Sequence, residues 1–217
     1  MRARRPLAVL LLGGLAAFVA LSAAAMARYP GGTWWDSARQ GHAFWANFFC
    51  DLTQPSRLDG HGPNPAAPLA RAAMLALAVA LLPFWLLLPL AFPDHPRLGR
   101  TTRGLGALSA LVSLAVPLTP SLLFPKLHSA SSLATGGLGV LAAGAAFVGM
   151  WRARAPPIGQ LVCATVGIGA GVLNGGLYVA HLAGLALSPL TPVAQKIAAL
   201  ALVAWMGLVA SVGWKRP

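Results

Sequence analysis

The sequence predicts an all-α, polytopic transmembrane helical bundle of six helices with a structured outer loop between the first and second. Three observations predict it. Of the 217 residues, 57% are apolar and 9% charged, far from the roughly 25% charged of a soluble domain. Six apolar runs each reach the about 20 residues that cross a bilayer core as a helix. The basic residues fall in clusters that alternate from one side to the other, as the positive-inside rule requires.

The runs are Pro6–Ala27, Pro68–Phe92, Gly104–Phe124, Ser129–Trp151, Ile158–Leu187 and Ala194–Trp214. On one side of them stand Arg2, Arg4, Arg5, Arg97, Arg100, Arg103, Arg152, Arg154, Lys215 and Arg216; on the other stand Arg28, Arg39, Arg57, Arg71, Lys126 and Lys196. Ten against six makes the first side cytoplasmic, with both termini there, in the cell membrane. The net charge of +12 is thereby an orientation signal, and nucleic acid is not an expected partner. No linker divides the chain, so residues 1–217 form a single integral membrane domain.

The first run has a competing reading as a secretory signal, with Ala23-Ala24-Ala25-Met26-Ala27 as its cleavage segment. Its length of about 22 residues exceeds the roughly 7–15 of a signal's apolar region and favours a retained helix. Pro83, Pro89, Pro117 and Pro120 predict kinks in the second and third helices, with Ser113, Thr119 and Ser121 near enough to take the freed backbone groups. Cys50 and Cys163 belong to opposite sides, so no disulfide is expected between them. Four Asp and no Glu exclude paired-glutamate chemistry, and no acidic residue within a span excludes a carboxylate proton relay.

The outer loop, residues 28–67, is longer than a structureless connection in a compact protein. Tyr29-Pro30-Gly31-Gly32 marks a turn, and Asp36 is positioned to cap a helix over Ser37–Leu52. Such a helix carries Phe44, Phe48 and Leu52 with Trp45 and Phe49 on an aromatic face for the lipid interface, and Gln40, Asn47 and Asp51 on a polar face. Pro55, Asp59-Gly60 and Gly62-Pro63-Asn64-Pro65 then turn the chain into the second span.

These loop residues carry a resemblance. Tyr29-Pro30-Gly31-Gly32-Thr33, then Asn47-Phe48-Phe49-Cys50-Asp51-Leu52, then Gly62-Pro63-Asn64 before a membrane helix resemble domain-of-unknown-function family 998, multi-helix integral membrane proteins. Cys50 stands where relatives have Ser. More distantly the chain is similar to the Frag/DRAM-type membrane proteins. The resemblance implies the fold and no activity.

Polar residues in membrane helices are expensive, so their placement carries information. His128, Ser132, Thr135 and Gly139 share one side of the fourth helix. Cys163, Gly167, Gly171, Asn174, Tyr178 and His181 share one side of the fifth, its glycines allowing close helix approach. Lys196 opens the sixth helix, where it is expected to snorkel to the surface. Together with the loop these residues predict a polar chamber at the outer leaflet among helices two to five, with Asn47, Asp51, His128, Asn174, Tyr178 and His181 as ligand-binding candidates. The favoured function is non-catalytic binding of a membrane lipid or small ligand, with Arg39, Arg57 or Lys126 available to a phosphate. The alternative is a metal-dependent membrane lipid hydrolase, an amidase or esterase similar in architecture to the ceramidase type. It would use His128, His181 and Asp51 as catalytic candidates, and zinc held by His128 and His181 with His42 or Asp51.

Overall fold

The computed structural model describes residues 4–215; Arg2 and Arg216 of the orientation count lie outside the described residues. Its elements are α1 (Arg4–Arg28), α2 (Phe49–Leu52), α3 (Ala67–Leu87) extended by a 3-10 turn (Leu88–Ala91), α4 (Pro96–Ser113), α5 (Ala115–Leu118), α6 (Pro125–Trp151), α7 (Ile158–Leu182) and α8 (Leu190–Lys215). Six helices are long and apolar enough to cross a membrane: α1, α3 with its 3-10 turn, α4 with α5, α6, α7, and α8 as far as Ser211. The chain is a multi-pass, all-α membrane protein. Among the described residues the extended backbone amounts to two isolated bridges, Gly31 with Gln40 and Ser56 with Pro63.

Successive spans pack as neighbours, and α8 returns against α1, so the six close into a ring. Small residues set the spacing. Gly14 on α1 sits so close to α3 that a Cβ there would lie 2.8 Å from the Cβ of Ala80, the small-residue contact that membrane helices use where no hydrophobic force drives them together. Gly106 on α4 and Gly149 on α6 likewise admit the rings of Trp85 and Phe92. The core centres on Phe84, Trp85 and Trp205, with Phe84 and Trp205 edge to face at 5.3 Å. From α1, Ala8 and Leu11 are fully buried in this cluster. Span α3 is the most enclosed and α7 the least.

Proline shapes the spans by different means. Pro83 stays within α3, whereas Pro89 lies in the 3-10 turn. The fourth element is interrupted at Leu114 and resumes as α5, which contains Pro117. Ser113 Oγ donates to the carbonyl of Ala110 and Thr119 Oγ1 to that of Ala115, so neighbouring hydroxyls take up the freed carbonyls.

The loop differs from its expected helix. Only Phe49–Leu52 is helical. Asp36 does cap, but locally: its Oδ1 accepts the N–H of Ala38, and Thr33 Oγ1 accepts the N–H groups of Trp35 and Asp36. Such short-range bonds compete with helix formation. Gly31, at φ +135°, is bridged to Gln40, and a Cβ on it would strike the carbonyl of Arg39. Gly41 follows at φ +67°. A continuous helix through these turns is excluded, and the supposed polar face divides: Gln40 is exposed while Asn47 and Asp51 are buried.

Candidate ligand-binding site

The loop folds about one carboxylate. Asp51 Oδ1 accepts the indole N–H of Trp34 at 3.0 Å; its Oδ2 accepts Asn47 Nδ2 at 3.1 Å and the backbone N–H of Phe48 at 2.8 Å. The last bond is half of a capping box, the third residue of α2 reaching back to the residue before it. Asn47 is also committed. Its Nδ2 donates to Gly32 O at 2.8 Å and its Oδ1 accepts the N–H of Ala43 at 2.9 Å. Tyr29 Oη donates to the same Gly32 carbonyl. Asn64 Nδ2 donates to the carbonyls of Leu52 and Gln54, fixing the exit into α3.

Long-range ties seat the loop on the bundle, among them Trp35 Nε1 donating to the carbonyl of Leu187 at 3.2 Å. Gln195 Oε1 accepts the N–H of Phe49 at 3.0 Å. Gln54 donates to Ser121 Oγ and accepts the N–H of Leu122. Lys196 does not snorkel. It is 0% exposed, its Nζ donates to the Asn47 carbonyl at 2.6 Å, and it lies 4.1 Å from the centroid of Phe49 and 5.6 Å from that of Phe44. Its ammonium is out of reach of water because loop aromatics cover it, and the ring faces supply the negative potential that water would have given.

Beneath the loop is a cavity of about 270 Å³. Trp34, Phe48, Cys50 and Asp51 roof it; Pro125, His128, Ser129 and Ser132 come from α6, Asn174, Tyr178 and His181 from α7, and Thr191 and Gln195 from α8. The chamber is thus bounded by α6, α7 and α8, and not by α3 or α4 as the sequence suggested. Five candidates, Asp51, His128, Asn174, Tyr178 and His181, line it. Asn47 and His42 do not. Asn47 is buried within the loop with its polar atoms in use, and His42 lies beside the rings of Tyr29 and Phe44, its Nε2 without a partner.

The protons of the chamber can be assigned. His128 Nδ1 is 2.8 Å from the carbonyl of Thr119, at the frayed end of α5, and must donate to it. His181 Nδ1 likewise donates to Leu185 O. Each ring, when neutral, keeps Nε2 as an acceptor. Ser129 Oγ donates to Pro125 O, so in the 2.7 Å contact with Tyr178 the phenol is the donor. Thr191 Oγ1, in a residue 1% exposed, and Ser132 Oγ have no partner. Thr191 was missed by sequence reasoning, since a threonine before Pro192 at a helix start reads as a capping residue.

The zinc candidates do not gather. Among the described residues no three His, Cys, Asp or Glu side chains come close enough to hold a metal ion together. His42 is separated from the chamber, and Asp51 spends its oxygens on three donors. The residues present do not fit a three-ligand zinc site. Arg57 is paired with Asp59 at 2.8 Å, and neither it, Arg39 nor Lys126 lines the chamber. Cys50 is no nucleophile: burial, then the adjacent Asp51 charge, pushes its thiol up to about 12.

Burial raises the Asp51 carboxyl from 3.8 to about 6, its hydrogen bonds and the Lys196 charge only partly opposing this. Burial, with Lys196 adding, lowers His42 from 6.5 to about 4. Asp51 holds its proton more tightly folded than unfolded, so acidification from about 6 to 3.8 stabilises the loop. His42 holds its proton less tightly folded, so acidification from 6.5 to about 4 destabilises it. In thermal unfolding followed by tryptophan fluorescence, His42→Gln therefore melts higher at pH 4.5 than at pH 7, and Asp51→Asn melts lower. The same slope in both variants would contradict the assignment.

Compared with protein-family models, curated proteins and solved structures, the chain matches none.

Proposed function

We propose that this is a non-catalytic membrane protein that binds a lipid or small ligand in the chamber under its first loop. The observation that carries the reading is the set of unspent polar groups there. Thr191 Oγ1 and Ser132 Oγ are buried without partners, and the second imidazole nitrogen of His128 is left an acceptor. A buried polar group without a partner costs about 1–3 kcal/mol, and two such hydroxyls on residues that line one cavity are accounted for by a ligand that engages them. Nothing in the chamber forms an activated nucleophile or a metal site, which disfavours the hydrolase.

The charge asymmetry between the two ends supports a cell-membrane location with the loop outside and both termini cytoplasmic. The burial of Ala8 and Leu11 in the core supports a retained first helix. Kinship with family 998 is part of the proposal. Its support is that the motif residues Gly32, Asn47, Asp51 and Asn64 fold into one hydrogen-bonded loop.

The test is native mass spectrometry of protein extracted from its own membrane, beside Thr191→Val and Ser132→Ala. Wild type is expected to retain a bound small molecule or lipid that both variants lose while keeping their melting temperature within a few degrees. Equal retention by all three proteins would sink the reading.

A further inference from the structure

The chamber does not end at its polar floor. A second cavity of about 220 Å³ lies between the same three spans, with Leu81 and Trp85 of α3 and Ser109 of α4 also in its wall. Thr135, Gly136, Gly139, Val140 and Ala143 of α6 line it, with Gly167 and Gly171 of α7 and Ala198, Ala199, Leu202 and Trp205 of α8. On each span these residues continue the chamber's own lining by one turn: Thr135 follows Ser132, Gly171 precedes Asn174, and Ala198 follows Gln195. The chemistry changes along the way. Hydroxyls, imidazole and amides line the upper part, and the lower is mainly glycine and aliphatic residues with two indoles, Trp85 and Trp205, where Thr135 and Ser109 bring the hydroxyls.

The glycines leave room. A Cβ at Gly136 would meet nothing within 4 Å. From His128 to Ala143 the crevice runs about 22 Å along α6 at 1.5 Å per residue, past the middle of a hydrocarbon core about 30 Å thick. Four buried polar atoms stand without partners along it, Thr191 Oγ1 and Ser132 Oγ in the upper part and, below, Thr135 Oγ1 and Nε1 of Trp85, a residue 3% exposed that lines the lower cavity.

Charge narrows the head of the ligand. No Lys or Arg lines either cavity, and the upper one presents the Asp51 carboxylate. A phosphate there would meet a carboxylate and no lining cation, because Lys196, whose charge reaches Asp51, is buried beneath the loop aromatics and committed to the Asn47 carbonyl. The unspent groups comprise hydroxyls that both donate and accept and an imidazole acceptor, which suits an alcohol, ester or amide.

Resting on the binding reading above, we infer that the two cavities form one site for a single membrane lipid, with an uncharged hydroxyl-bearing head under the loop and an acyl chain in the crevice between α6, α7 and α8. The chain replaces helix contacts that the glycines forgo, and the head takes up the hydroxyls of Thr191 and Ser132.

The experiment measures the melting temperature of detergent-purified protein titrated with three probes: a long-chain diacylglycerol, phosphatidic acid with the same chains, and a short-chain glycerol monoester. Wild type is expected to be stabilised by the diacylglycerol and, at higher concentration, by the monoester, but not by phosphatidic acid. Gly136→Leu, which fills the lower cavity, weakens diacylglycerol about tenfold and leaves the monoester unchanged; Gly136→Ala stays near wild type. Phosphatidic acid binding as tightly as the diacylglycerol overturns the uncharged head. Undiminished diacylglycerol binding in a folded Gly136→Leu overturns the chain's place while the chamber's ligand-binding role stands. If neither the diacylglycerol nor the monoester stabilises wild type, the binding role fails with it.

Discussion

Replacing Asp51 with alanine is expected to release the first loop from the bundle. Three donors converge on this carboxylate, from Trp34, Asn47 and the backbone of Phe48, and all three lose their acceptor at once. Hydrogen bonds to a charged group contribute about 1.5–3 kcal/mol each and are not additive. Burial of the carboxylate offsets part of that, as its raised pKa shows. A net loss of about 3 kcal/mol raises the undocked fraction roughly a hundredfold, and trypsin cleavage at Arg39 should rise with it, because cleavage of a transiently opened segment follows its population. Asp51→Asn keeps one acceptor oxygen but turns an amide N–H₂ toward existing donors, so its effect is about half as large. Unchanged protease resistance of the loop in Asp51→Asn would show that the network does not hold it.

The second large effect is expected at Lys196. Lys196→Ala removes the donor to the Asn47 carbonyl and opens a void beneath Phe44 and Phe49. Lost packing and an orphaned carbonyl together cost about 3 kcal/mol. Lys196→Met fills the void and is relieved of the ammonium's desolvation, so it should recover most of the loss. Thermal unfolding and the same trypsin assay separate the outcomes. Wild-type stability in Lys196→Ala would mean that the loop is held by its other ties alone. A Lys196→Met protein as weak as the alanine variant would mean that the charge, not the packing, is what the loop requires.

These two residues show where reading the chain stops. Asp51 was legible as the acid with a plausible set of partners, because it shares a short segment with Asn47. Lys196 was read as an interfacial lysine, because at the start of an apolar helix that is what length and polarity predict. Its burial depends on Asn47, Phe44 and Phe49, about 150 positions earlier in the chain, and no local pattern records that they fold over it. The loop helix failed for a related reason. The four-residue spacing of Phe44, Phe48 and Leu52 is a helical period, but Gly31 and Gly41 at positive φ and the side-chain bonds of Thr33, Asp36 and Asn47 give the backbone other partners.

The candidate site divides the same way. His128, Asn174, Tyr178 and His181 were found from spacing along two helices, which places residues on a common face without saying what that face meets. The structure decides that it meets α8 and the loop, so Thr191 and Gln195 belong to the chamber and the residues of α3 and α4 do not. It also decides that His42 stands apart, which removes the third zinc ligand.

What the sequence determined by itself was the membrane class, the six spans and their alternation of charge. Each of these depends on the transfer of a segment between water and lipid, a property additive over neighbouring residues. What only the tertiary structure decided was which polar groups satisfy one another and which are left facing a cavity. Hydrogen bonding is pairwise and directional, and here its decisive partners, Phe49 with Gln195 and Asn47 with Lys196, are distant in the chain.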